Sequence, residues 1–410
     1  MMIISNKRMR PTGFEDITSD GISSLPNEIL HHILSLMPAR EAVQTCVLST
    51  RWRYVWKSLR CLKIEGPEFS SMERFVEFMD NLLLERDSVP LDSFCLVSWS
   101  NGAHCLNHPR ANQWISHALT NKVCVLRVVE YYELFNLDPY PFISVHLKVL
   151  SLNCVFISAL FIENLLSNCP ALEDLTMIGS RVLATKFSSR TLKNLTFISL
   201  GPNDDYDVHD DFEDLVIDTP NLVSLHLEDL ALLAPCLVNV SSVVKASFRL
   251  DEECFSSSDA NCNILSALSN VMKLKLVSRP DNGTSQETET VSKVLRRDLW
   301  RCQAFSNLKS LSVGDWCVDA DLSALLYFLR RSPVLKKLVS AGASGWGHQR
   351  HNLKSKKTDM SFNCEHLKRV KIRCARGDKR VHSIVNVILA NAISLPEIVI
   401  NPYEPLYPLE

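Results

Sequence analysis

The sequence predicts an α/β protein: a short three-helix module followed by an irregular solenoid, with parallel β strands on its concave face and helices or coil on its convex face. Three observations carry this. The pattern L-x-x-L-x-L, with apolar substitutes, recurs along most of the chain. Helical candidates fall between its copies. Of the 410 residues, 46% are apolar, yet no run reaches the ~18 consecutive apolar residues of a membrane span, so this surface must be buried within protein.

Taken in order, the chain opens with MMIISNKRMRPTGFEDITSD, whose brief apolar start is no secretory h-region. Residues 1–19 read as a disordered tail, and nucleus or cytoplasm is the expected location. The basic run NKRMR reads as part of that solvated tail.

Residues 20–60 hold the helical module. Pro26 suits a first helical turn with Ser24 as cap, and Leu25, Ile29, Leu30, Ile33, Leu34 and Met37 recur at helical spacing until Pro38 stops the run. A second helix is expected to carry Ala42, Val43 and Cys46. Ser49 is placed to cap a third that presents Trp52, Val55 and Trp56. About 40 residues bury too little apolar surface to stand alone. The first repeats acting as neighbour, or a separate partner, can each cover the remainder, and the helical spacing does not choose between them.

Residues 61–360 hold most of the repeats. Clear copies begin at Leu147, Leu172, Leu192, Leu222, Leu308, Leu367 and Leu395, and weaker ones at Leu91, Val123, Val243, Val271 and Leu335, with spacings of 20 to 37 residues. The closing L-x-L of each copy alternates as a strand does. SALFIENLLSN, LSALLYFLRRS and VHSIVNVILANA read as helices between copies. The period is short for a doubly wound sheet, whose βαβ unit needs about 30 residues or more, and neither G-x-G-x-x-G nor a P-loop is present. The repeats over roughly residues 91 to 400 resemble leucine-rich repeats, with one departure. Where that family places a turn-bonding Asn or Cys, this chain has Val155, Ser180, Leu200, Leu230, Trp316 and Ala375, which predicts an irregular arc. The insertions at 203–214 and 279–290 read as solvated loops, and the Gly- and Lys-containing run at 342–357 as a flexible basic loop. Residues 361–402 form the last repeats, and 403–410 a tail.

The module closely resembles an F-box: Leu25-Pro26, Ile29 to Leu34, Met37-Pro38, Cys46-Val47-Leu48-Ser49, then Arg51-Trp52-Arg53 with Trp56. The form CVLSTRWRYVWKSL is similar to the plant version. Together with the repeats and NCEHLKRVKIRCARG in the FBD-like C-terminal repeats at 361–402, the chain resembles plant F-box/FBD/leucine-rich-repeat proteins. That resemblance implies a substrate receptor of an SCF-type cullin-RING ubiquitin ligase docked on a Skp-type adaptor. It carries Leu25, Pro26, Ile29, Leu30, Ile33, Pro38, Val43, Leu48 and Trp52 over to the adaptor contact, and leaves Trp56 to seal the module to the repeats. An interaction scaffold whose helices only cap the repeats is the alternative.

Residues between the apolar positions of each strand should line the concave face. Early copies offer Asp174 and Glu228 there. Later ones offer Lys245, Arg249, Lys273, Lys275, Lys337, Arg369, Lys371 and Arg373. This basic late half is a candidate surface for an acidic or phosphorylated protein target or an anionic small molecule, against the ordinary alternative of a solvated charged face.

No other chemistry is expected. The formal charge of −2 gives no bulk attraction to nucleic acid or an anionic membrane. None of the 14 cysteines forms a C-x-x-C pair, which reads as reduced thiols that mostly fill the core, without a metal. His31 and His32, adjacent on one helix, diverge and read as surface residues. Neither G-x-S-x-G nor H-E-x-x-H occurs, so no catalytic residue or cofactor is expected, and the chain reads as a non-catalytic subunit.

Overall fold

The computed structural model describes residues 22, 24–98, 110–131, 134–137, 142–199, 213–230, 233–250, 255, 263–278, 289–302, 304–318, 322–341, 364–374, 378 and 380–402. Its strands are β1 Cys61–Glu65, β2 Ser93–Val97, β3 Val125–Val129, β4 Phe135–Asn136, β5 Val149–Asn153 and β6 Val155–Ile157. They continue with β7 Asp174–Val182, β8 Lys186–Ser188, β9 Asn194–Ser199, β10 Glu213–Asp218, β11 Ser224–Glu228 and β12 Leu233–Val238. The last are β13 Lys245–Leu250, β14 Lys273–Ser278, β15 Ser310–Val313, β16 Lys337–Ala341, β17 Arg369–Cys374 and β18 Glu397–Pro402. The helices are α1 Asn27–Ser35, α2 Ala39–Gln44, α3 Trp52–Val55, α4 Met72–Glu85 and α5 Ala111–Thr120, then α6 Ala159–Asn168, α7 Ile264–Ala267, α8 Glu289–Arg301, α9 Ser323–Arg331 and α10 Arg380–Asn391.

One parallel sheet runs through the described residues in chain order, β1-β2-β3-β5-β7-β9-β11-β13-β14-β15-β16-β17-β18. All twelve copies of the repeat pattern become strands of it. A thirteenth, Leu59-Arg-Cys-Leu-Lys-Ile64, supplies β1, so the sheet starts directly behind the helical module. Alternation fixes the two faces: in β13 the buried residues are Ala246, Phe248 and Leu250, while Lys245, Ser247 and Arg249 point away from the core. Strands off the repeat pattern, β8, β10 and β12, form a second parallel sheet.

The helices cover the other side. α6, α9 and α10 match the three expected segments, and Ser158 caps α6 by accepting from Phe161 N at 3.1 Å. α4 buries Phe75, Met79 and Leu82 at helical spacing, and Phe75 meets Trp114 of α5 edge-to-face with centroids 5.6 Å apart. α8 begins at Glu289, so the end of the expected 279–290 loop is helical; likewise Glu213 and Asp214 of the acidic insertion belong to β10. The run 342–357 and residues 203–212 and 279–288 lie outside the described residues.

The missing asparagine ladder has partial substitutes. Ser180 is fully buried; its Oγ accepts from Val155 N at 3.1 Å and donates to the Ile178 carbonyl at 3.2 Å. Trp316 is buried and its indole Nε1 donates to the Leu276 carbonyl at 3.0 Å. Both ties run between neighbouring repeats and satisfy backbone groups that burial would otherwise strand. Val155 and Leu230 are simply buried, while Leu200 and Ala375 lie outside the described residues.

The cysteines divide. Cys169, Cys302, Cys317, Cys364 and Cys374 fill the core, and burial pushes the Cys302 thiol up to about 12. Cys124 and Cys154 are only half-buried despite their apolar surroundings in sequence. Cys154 occupies a left-handed corner with φ 54°, where the chain leaves β5 for β6.

Candidate functional site

Two surfaces stand out, one at each kind of element. In the helical module, α1 starts after Pro26, whose φ of −58° sets the entry, so Pro26 rather than Ser24 occupies the capping position. Pro38 does the same for α2. α3 starts at Trp52 with Arg51 rather than Ser49 at its N-cap. Cys46 falls in the short 3-10 turn that extends α2.

The inner face consists of Leu30, Leu34, Ala39, Ala42, Trp52, Val55 and Leu59, all buried. It seats the module on the first repeat. Arg40 reaches the Glu68 carbonyl and lies over the Phe69 ring at 5.0 Å, Lys57 pairs with Glu85 at 2.7 Å, and Ser58 bonds Asp87. Buried Arg86 donates to the Leu59 and Val89 carbonyls at 3.2 and 3.1 Å across the same seam. Trp56 packs partly buried against this core.

The outer face stays apolar and open. Ile29 is 45% exposed, Leu36 74%, Val47 84%, Leu48 63% and Tyr54 60%, with Ile22 and Ile33 also exposed. Single exposed apolar residues are ordinary, but seven within one short module are not.

The residues assigned to adaptor contact therefore separate. Pro26, Ile29, Ile33 and Leu48 are exposed, and Leu25, Pro38 and Val43 half-buried. Leu30 and Trp52 are a correction: both are buried in the core that the helices of the module share, so they hold the helices rather than face a partner. Leu36, Val47 and Tyr54 face outward and were not among the assigned residues. Helical spacing from Ile29 and Ile33 marks Leu36 as their neighbour on the same face.

The second surface is the open face of the sheet. In-register pairing places Asp174, Asn194, Ser224, Lys245, Lys273, Ser310, Lys337, Arg369 and Glu397 in one row. The next row holds His226, Ser247, Lys275, Ser312, Val339 and Lys371. All eight assigned basic residues point away from the core.

Their charges are not equally available. Glu228, expected as an exposed acid, is buried, and accepts from His226 Nε2 at 2.7 Å with Arg249 at 3.2 Å and Lys275 at 3.5 Å. Burial raises its carboxyl, but the His226 hydrogen bond and the charges of Arg249, His226 and Lys275 outweigh this and hold it below the usual carboxylate range. Arg249 and Lys275 are thus partly neutralised, and Arg369 pairs with Glu397 at 2.8 Å. Lys245, Lys273, Lys337, Lys371 and Arg373 form no ion pair with a described residue. Asp174 accepts from Asn194 Nδ2.

Comparison with known proteins bears on both surfaces. The family model described as At1g61320/AtMIF1, LRR domain, matches residues 135–406, and the F-box domain model matches residues 22–64. The chain belongs to the plant F-box/leucine-rich-repeat family. Three similar relatives are from Arabidopsis thaliana. F-box/FBD/LRR-repeat protein At5g22700 is 31% identical over 261 residues, covering 56% of this chain and 59% of that protein. Putative F-box/LRR-repeat protein At3g44810 is 29% identical over 78% of each chain. F-box/FBD/LRR-repeat protein At1g78750 is 26% identical over 96% of this chain and 91% of its own. The chain spans 59%, 57% and 52% of the length of the first three curated relatives it matches. Among the described residues of this F-box/leucine-rich-repeat chain, no helix is long and apolar enough to cross a membrane.

Proposed function

We propose that this chain is the substrate-recognition subunit of an SCF-type cullin-RING ubiquitin ligase, its F-box docking on a Skp-type adaptor and its repeats holding a target protein for ubiquitination. The observation that carries the reading is the open apolar face of Ile29, Ile33, Leu36, Val47, Leu48 and Tyr54 on a module whose opposite face is buried. A module that only capped the solenoid would need the inner face and gain nothing from the outer one. The target contact falls on the open face of the sheet, where unpaired lysine and arginine favour a partner carrying negative charge. The mechanism is proximity: a held target meets the charged conjugating enzyme at high effective concentration, with no chemistry by this chain.

The test is capture of a purified Skp-type adaptor. Wild type binds it; Leu36→Asp/Leu48→Asp, which alters only exposed positions, loses binding at least about tenfold at an unchanged melting temperature, the desolvated apolar contact being worth more than 1.4 kcal/mol. No capture by wild type overturns the reading in favour of a plain scaffold.

A further inference from the structure

The open face of the sheet has a low point. Across β11, β13, β14 and β15 one row reads Ser224, Lys245, Lys273, Ser310 and the next His226, Ser247, Lys275, Ser312. Both outward residues of β15 are serines, flanked by the lysines of β14 and by Lys337 on β16. Short side chains between long ones leave a hollow of about 310 Å³.

We propose that this hollow binds the phosphate of a phosphoserine or phosphothreonine carried on an extended segment of the target. The proposal rests on the open sheet face being the target surface, and sharpens it from negative charge in general to one group at one place. Adjacent strands lie about 4.8 Å apart and alternate residues about 7 Å apart, so Lys245, Lys273 and Lys275 rise around one spot. Neighbouring like charges repel, and Lys245 faces Lys273 in register with no described acid paired to either. Glu228 is the acid at this edge, and it is already shared among His226, Arg249 and Lys275. A bound dianion relieves that repulsion.

The donor set selects phosphate over carboxylate. Lysines are point charges that tolerate any direction of approach, so several around one spot favour the double charge of a phosphate over the single charge of a carboxylate, whereas the paired donors of arginine match both groups. Among the described residues no arginine lines the hollow, and serine hydroxyls do, giving short neutral donors to the several oxygens of a tetrahedral group. The strand face beyond the hollow, open in both directions along the sheet, leaves room for the flanking peptide.

The experiment uses the full chain and fluorescent peptide pools with central phosphoserine or phosphothreonine in randomised flanks, the same pools unphosphorylated, and inositol hexakisphosphate as a phosphate source without peptide. The phosphorylated pools should bind at least about tenfold more tightly, less so as salt rises, and Lys245→Gln/Lys273→Gln, which leaves the Lys275–Glu228 pair in place, should remove that preference while the melting temperature and adaptor capture stay as in wild type. Equal binding of the two pools overturns the proposal. So does a preference that survives in the double variant, or binding of inositol hexakisphosphate alone. Adaptor capture on the same preparation reports on the ligase reading separately, so either can fail without the other.

Discussion

The helical module and the late repeats are built on one core but turn opposite surfaces outward. In α1, Leu30 and Leu34 face in while Ile29, Ile33 and Leu36 face out, and both sets are apolar. In β13 and β14 the inward residues are apolar and the outward ones are mostly lysine, arginine and serine. An apolar outer face is dehydrated on contact, adds affinity in proportion to area and responds little to salt. A lysine face works through screened charge, with exposed pairs worth little singly, so it discriminates between partners and releases them as ionic strength rises. One end is suited to a standing attachment and the other to an exchangeable one.

The sharpest way to break this comparison is to mutate the two faces of one helix. Leu34→Ala should cost about 3 kcal/mol, because it removes a fully buried side chain that the seam cannot close over. Leu36→Ala, two residues on, should leave the thermal midpoint within about 1 °C, as a surface position does. Equal losses in thermal denaturation would mean that the outer face is structural after all.

A smaller effect is expected at Glu228. Replacing it by Gln removes the charge that compensates His226, Arg249 and Lys275, and should cost about 2 kcal/mol at pH 7. Since the folded carboxyl lies below its ordinary value near 4.5, its contribution is complete above that pH and disappears as the pH falls through the lower folded value. The acid limb of stability should therefore be shallower in Glu228→Gln than in wild type, read from urea midpoints between pH 6 and pH 3.

The smallest change is Trp316→Phe. It keeps the buried ring and deletes the bond to the Leu276 carbonyl, for about 1 kcal/mol. A denaturant midpoint equal to wild type would remove Trp316 from the ties between repeats.

The sheet was largely legible because every L-x-x-L-x-L became a strand. The copy at Leu59 escaped because the same residues close the helical module, and a run that serves two elements shows only the stronger pattern. β8, β10 and β12 lie between copies, where no repeat announces them. α4 was readable in principle from Phe75, Met79 and Leu82. The site was less legible, for physical reasons. Helical spacing groups residues into faces without saying which face meets the core, and the resemblance that assigns Leu30 and Trp52 to the adaptor says nothing of their burial in this chain. The burial of Glu228 depends on Arg249 and Lys275, which are distant in sequence and become neighbours only through strand register.

The chain-order sheet also acts as a ruler. Each strand between β1 and β18 pairs with the preceding and following repeat, so the distance between the helical module and any point on the open face is counted in strands. Eight strand-to-strand steps lead from β1 to β14, roughly 38 Å at about 4.8 Å each. Inserting or deleting one repeat between them displaces whatever is held near Lys273 by one step relative to the module and turns it by the sheet's twist, without altering a single contact residue. The number of repeats ahead of the hollow is thereby a geometric specification of where a held partner is presented.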